Sequence, residues 1–126
     1  MKLVLTASIK KAEFEVLEKT FSLDVIKVAT KKTLEGLGKE IKSTIKISST
    51  TLKKIPLTSA GGAGRAVFLL KITDKNAVLV MIRLKNDKKI GVNMTVKNPE
   101  FKKALEKNLS LVVSDIENGN FEEFDL

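Results

Sequence analysis

Only two of the chain's 23 basic residues are arginine, Arg65 and Arg83. Arg65 opens the apolar run AVFLL, and Arg83 closes the run AVLVMI. An arginine grips two phosphate oxygens in a planar fork that a lysine cannot copy. Lys53 and Lys54 precede this pair, and Lys85 follows Arg83 by two residues, which puts both on one face of a strand. Neighbouring strands lie about 4.8 Å apart, so side chains from adjacent strands converge on one patch. A three-residue turn at Asp74, Lys75 and Asn76 pairs Arg65 near the level of Lys85. Converging cations of this kind suit a phosphate group.

The residue inventory limits the chemistry further. The sequence contains no cysteine and no histidine. Disulfides, the usual zinc ligands, a Ser-His triad and imidazole acid–base catalysis are therefore absent. What remains is Lys, Arg, Asp, Glu, the hydroxyls of Ser and Thr, and backbone N–H groups. No metal or cofactor is expected. The net charge is +8 over 126 residues, and it is segregated. Ile41 to Lys89 holds 11 basic residues against Asp74 and Asp87, a local charge of +9 that leaves −1 for the rest. Ser110 to Leu126 carries five acids and no base. Such segregation points to a basic face with an anionic partner. No apolar run approaches the ~20 residues of a membrane span. The opening MKLVLTASIKK reads as a strand entering a helix, which places the protein in the cytoplasm.

The glycine-rich stretch GGAGR before Ala66 is not a nucleotide fingerprint. A Walker loop needs G-x-x-x-x-G-K-[ST] ahead of a helix, and here the glycines precede a strand. The dinucleotide pattern fails too, because Val67 stands where its third glycine belongs. The stretch reads as a turn between strands whose small residues allow close approach of a polymer.

The elements that position these residues follow from pattern. Lys2 to Ser8 reads as a strand. Ala12, Phe14, Leu17 and Phe21 form a helical stripe. Ser22 caps a second helix with Leu23, Ile26, Leu34, Leu37, Ile41 and Ile45 on its face, bent or ended at Gly36 and Gly38. Residues 43–57 are rich in β-branched residues and extended, with Pro56 at an edge or end. Ala66 to Thr73 and Ala77 to Leu84 form a hairpin of central strands, covered on both faces. Asn86 to Val96 is a polar excursion with a turn at Gly91. The last helix has Asn98 as N-cap, Pro99 in its first turn, a face of Phe101, Leu105, Leu109, Val112 and Ile116, and Gly119 as its stop. Phe68 and Phe101 read as core. The fold class expected is α+β: a small, mainly antiparallel sheet with an N-terminal helical hairpin and a C-terminal helix, the helices on one sheet face. Residues 1–126 read as one domain, with 120–126 an acidic tail able to fold over the basic face.

The segment PLTSAGGAGRAVFLLKITDKNAVLVMIRLKNDKKIG resembles the core of the RelE/ParE superfamily of bacterial toxins. There, basic residues lead into a glycine-containing turn, and an arginine opens an apolar strand. A tight turn and a second apolar strand ending in basic residues follow. The resemblance covers most of the chain, most tightly Leu52 to Gly91. It implies a RelE-like fold and the toxin of a type II toxin–antitoxin system, bound by a cognate acidic antitoxin. For RelE-like members it implies a metal-independent endoribonuclease that cuts mRNA on the ribosome through the RNA's own 2′-hydroxyl and so inhibits translation. Lys53, Lys54, Arg65 and Arg83 then match the catalytic positions, the lysines as base or phosphate ligand and the arginines as charge stabilisers. Lys85, Lys88 and Lys89 match the basic end of the last strand, and with Lys46 and Lys71 would contact nucleic acid. Many family members place a tyrosine or histidine after that strand, and this chain has neither. That departure leaves two alternatives open. One is a ParE-like, non-nucleolytic inhibitor of a topoisomerase; the other is a basic nucleic-acid-binding accessory protein. No membrane partner is implied, and the sequence sets no oligomeric state.

Overall fold

The computed structural model describes the backbone of residues 1–126 and every side chain but that of Ile72. Leu3, Val4 and Leu5 are buried in the first strand, β1 (Lys2–Thr6). The chain then turns directly into a helix, α1, with α-helical turns at Ala7–Ile9 and Glu15–Leu17. Between them lies a π-helical stretch, Lys10–Phe14. Its wider turn brings two adjacent residues inward, so Glu13 and Phe14 are both buried while Ala12 is exposed. The expected stripe through Ala12 is therefore displaced by one residue.

The second helix, α2 (Leu23–Leu34), begins where expected, with Ser22 accepting a hydrogen bond from the Val25 N–H. It ends three turns later, ahead of Gly36, the second of the two outcomes expected there, so Ile41 and Ile45 lie outside it. Gly36 and Gly38 adopt φ +105° and +98°, which side-chain-bearing residues rarely do. The chain reverses through them into a short strand, β2 (Lys39–Ile41). Strands β3 (Thr50–Ser59) and β4 (Gly62–Lys71) form a hairpin closed by Ala60 and Gly61. A 3₁₀ turn, Ile72–Asp74, leads to β5 (Asn76–Leu84). After the irregular segment 85–98 comes α3 (Pro99–Glu117), started by Asn98 and ended before Gly119 at φ +71°. The last strand is β6 (Phe121–Asp125).

These strands form one six-stranded sheet in the order β2-β3-β4-β5-β1-β6. All pairings are antiparallel except β1 with β5. The class is thus α+β with a mainly antiparallel sheet and three helices. Ala66–Leu70 and Ala77–Ile82 are buried without a break, which requires cover on both faces. The helices supply it from both sides, not from one. Phe21, ahead of α2, lies against Gly64 on one face, and α2 packs on β3, β4 and β5. On the other face Leu109 of α3 lines a pocket together with Leu52 and Leu69, and the segment 85–98 continues the cover. Phe68 and Phe101 are fully buried core residues, each contributing roughly 1.5–3 kcal/mol by burial. Ile116, expected on the buried face of α3, is exposed, and Asn108 and Asp115 are buried instead. Asp115 has a partner: its Oδ2 accepts the Ser8 N–H at 2.8 Å at the start of α1.

The acidic tail does not lie over the basic face. It pairs with β1 at the edge of the sheet, where Glu122 and Glu123 meet Lys10 and Lys2. Among the described residues, no helix is long and apolar enough to cross a membrane.

Candidate phosphate-binding face

The two arginines meet through an irregularity. Lys71 pairs with Asn76, so the turn is four residues long and β5 starts one residue earlier than expected. From that register alone, Arg65 would face Ile82 and point away from Arg83. A bulge restores the match: Val67 pairs with Met81 but Phe68 with Leu79, leaving Val80 as an extra residue. A one-residue shift moves every side chain beyond it to the opposite face. Arg65 therefore lies directly opposite Arg83, not level with Lys85. The pairings Lys54 with Val67 and Pro56 with Arg65 put Lys54 on that same face.

Lys53, one residue away, points to the other face, where its ammonium donates to the Gly36 carbonyl at 3.1 Å. It does not join the cluster. Lys39, paired with Lys54 across β2 and β3, does. Lys54 donates to the Met94 carbonyl at 2.7 Å, and Arg65 to the Gly91 carbonyl at 3.4 Å. Both acceptors belong to the segment 85–98, which buries Ile90 and Met94 as anchors. Burial, then the neighbouring Arg65 guanidinium and then Lys39, hold the Lys54 ammonium below the usual lysine range. Among the described residues, no carboxylate forms an ion pair with Lys39, Lys54 or Arg65.

Arg83 differs. Its guanidinium pairs with the buried Glu13 carboxylate and, at 3.6 Å, with Asp87. Glu13 has a structural task as well. β1 stays paired with β5 only as far as Val78, so the next backbone groups of β5 lose their strand partner. Glu13 Oε1 accepts the Ile82 N–H at 2.9 Å, and Asn108 Nδ2 donates to the Val80 carbonyl at 2.9 Å and to Glu13 Oε2 at 3.3 Å. Two side chains thus replace the missing strand, and Arg83 compensates the charge that this buries. Sequence reading missed Glu13, although Ile9, Glu13 and Leu17 fall at i, i+4 spacing on one side of α1.

The remaining lysines are dispersed. Lys85 is exposed just past β5, and its N–H bonds the Ala63 carbonyl at 3.0 Å. Lys88 and Lys89 are exposed on the segment 85–98. Lys71 lies at the far end of β4, bound to Asp74 at 3.1 Å, and Lys46 is exposed in the connection before β3. Neither is brought to Arg65.

Two glycines allow close approach to the strands that carry Arg65 and Arg83, one from each side of the sheet. A Cβ on Gly64 would lie 2.5 Å from the Arg83 carbonyl oxygen and 2.8 Å from the Phe21 ring. A Cβ on Gly91 would lie 1.8 Å from the Leu84 carbonyl oxygen. Gly91→Ala should therefore push the segment 85–98 off the sheet and release Arg65 from its carbonyl. The expected cost is about 1–3 kcal/mol or more, with faster hydrogen exchange across residues 85–98. A melting temperature equal to wild type would contradict this packing.

Compared with known proteins, the chain matches no family model and no curated protein. The class that fold and site define is an α+β domain with a mainly antiparallel sheet, presenting a Lys54–Arg65 pair that has no carboxylate partner among the described residues.

Proposed function

We propose that this chain binds the phosphate backbone of RNA through Lys54 and Arg65. We infer from the Leu52 to Gly91 pattern that it is a RelE-like toxin that cleaves mRNA on the ribosome. The observation that carries the reading is the Lys54–Arg65 pair: adjacent cations on one face, with no carboxylate partner among the described residues. In the reaction, a ribose 2′-hydroxyl attacks the adjacent phosphorus and the bond to the 5′-oxygen breaks. Lys54, with its lowered pKa, accepts the hydroxyl proton, and Arg65 neutralises charge on the phosphoryl oxygens. The departing 5′-oxygen takes its proton from solvent. An acidic antitoxin segment on the same face would block access.

One observation favours a second reading. Arg83 is tied to Glu13 and Asp87, and the sequence offers no imidazole or phenol as a proton donor. A domain that grips a polyanion or a topoisomerase without cutting, in the manner of a ParE-like inhibitor, fits that restraint. Induction in bacterial cells separates the two. Cleavage predicts growth arrest with new transcript ends inside codons. A DNA-damage response with intact transcripts would replace the first reading by the second.

A further inference from the structure

The chain has two arginines, and they face each other across β4 and β5. Were both free, they would form a double fork able to hold two neighbouring phosphates. Only Arg65 is without a carboxylate partner among the described residues. Arg83 is bound by a carboxylate that cannot leave: Glu13 is 4% exposed, sits on the π-helical stretch of α1, and is held by Ile82 and Asn108. Asp87 adds a second carboxylate from the other side of the guanidinium.

We propose that Glu13 is a positioning residue that withholds Arg83 from phosphate and so limits this face to a single phosphate at Lys54 and Arg65. The inference rests on the phosphate-binding reading above and deepens it. Glu13 acts through Arg83 and touches no substrate. An anion approaching Arg83 meets the carboxylates of Glu13 and Asp87, which already occupy its guanidinium and repel a further negative charge. An anion approaching Arg65 meets Lys54 and Lys39 instead. The π-helical stretch provides the selectivity, because it turns Glu13 onto the open edge of β5 beside Phe14. The upstream lysines also divide by face, Lys54 toward the site and Lys53 away from it, so the site is narrower than its basic composition implies.

Two arginines give two guanidinium Nε–H resonances, which nuclear magnetic resonance resolves and single substitutions assign. The probe is inorganic phosphate titrated into the full chain. In the wild type, the Arg65 signal should move with phosphate and the Arg83 signal should stay fixed. In Glu13→Gln, which removes the charge but keeps an acceptor for the Ile82 N–H, both should move. Phosphate should then bind about three- to tenfold more tightly, the order expected of one added hydrogen bond at a solvent-exposed site. A loss of structure alone weakens binding and cannot produce this gain. A moving Arg83 signal in the wild type overturns the proposal, and that arm needs no variant to fold. A fixed Arg83 in a folded Glu13→Gln protein whose Arg65 responds overturns it as well. A fixed Arg65 in the wild type contradicts the phosphate-binding reading itself.

Discussion

Replacing Lys54 with methionine is expected to slow RNA cleavage about 10²–10⁴-fold, the range a positioned general base contributes. The free amine is the base, so the wild-type rate should climb with pH and level off below the pH of an ordinary lysine. Burial, Arg65 and Lys39 lower this pKa from 10.5, which moves that limb toward neutrality. Folding responds in the matching sense. Between the lowered pKa and 10.5 the unfolded chain binds more protons than the folded one, so stability rises with pH across that window. Below it, the folded protein carries the full penalty of a charged Lys54. Methionine at this position removes that penalty together with the bond to the Met94 carbonyl. The variant's stability relative to wild type should therefore be greatest at neutral pH and fall toward alkaline pH. Rate measurements alongside thermal melts separate a lost base from a lost fold. A variant cleaving at the wild-type rate would remove Lys54 from the reaction.

The second large effect is on stability. Glu13→Ala should destabilise the protein by about 3–5 kcal/mol, the cost of breaking a buried ion pair by removing one partner. The variant leaves the Ile82 N–H without its acceptor, Asn108 with one bond fewer, and Arg83 facing Asp87 alone. For a domain of this size the melting temperature should fall by roughly 10 °C or more. Denaturant unfolding measures it directly. A shift under ~1 kcal/mol would mean that water replaces the carboxylate at the β5 edge at little cost.

Much of the fold was legible because its signals are local. Asn98, Pro99 and Gly119 bound α3 by capping chemistry, and Ser22 opens α2 in the same way. The apolar runs around Phe68 and Leu79 identified central strands. What escaped depends on tertiary context. A bend or an end was open at Gly36 and Gly38; their positive φ makes it an end, so Ile41 joins β2 instead. The acidic tail looked like a flap and is an edge strand, because its partner, β1, is more than 110 residues away in sequence. The helices split between the faces because Ala77–Ile82 of β5 is apolar without a break and needs both sides covered.

For the site, the convergence of Lys54, Arg65 and Arg83 was legible, but its geometry was not. One extra residue, Val80, decides whether the arginines share a face, and no residue pattern marks that bulge. Lys53 and Lys54 look equivalent as a dipeptide, and strand alternation separates them. The restraint on Arg83 comes from Glu13, 70 residues away; i, i+4 spacing marks its side of α1 but not its partner.

The salt dependence of single-stranded RNA binding tests the Lys54–Arg65 site most directly. Log affinity falls linearly with log salt, with a slope of about −0.7 for each phosphate neutralised on a single strand. Arg65→Ala combined with Lys54→Met should flatten the slope by about 0.7, while Lys53→Met, on the opposite face, should leave it unchanged. A double variant with the wild-type slope, or an equal loss from Lys53→Met, would contradict phosphate binding at this face.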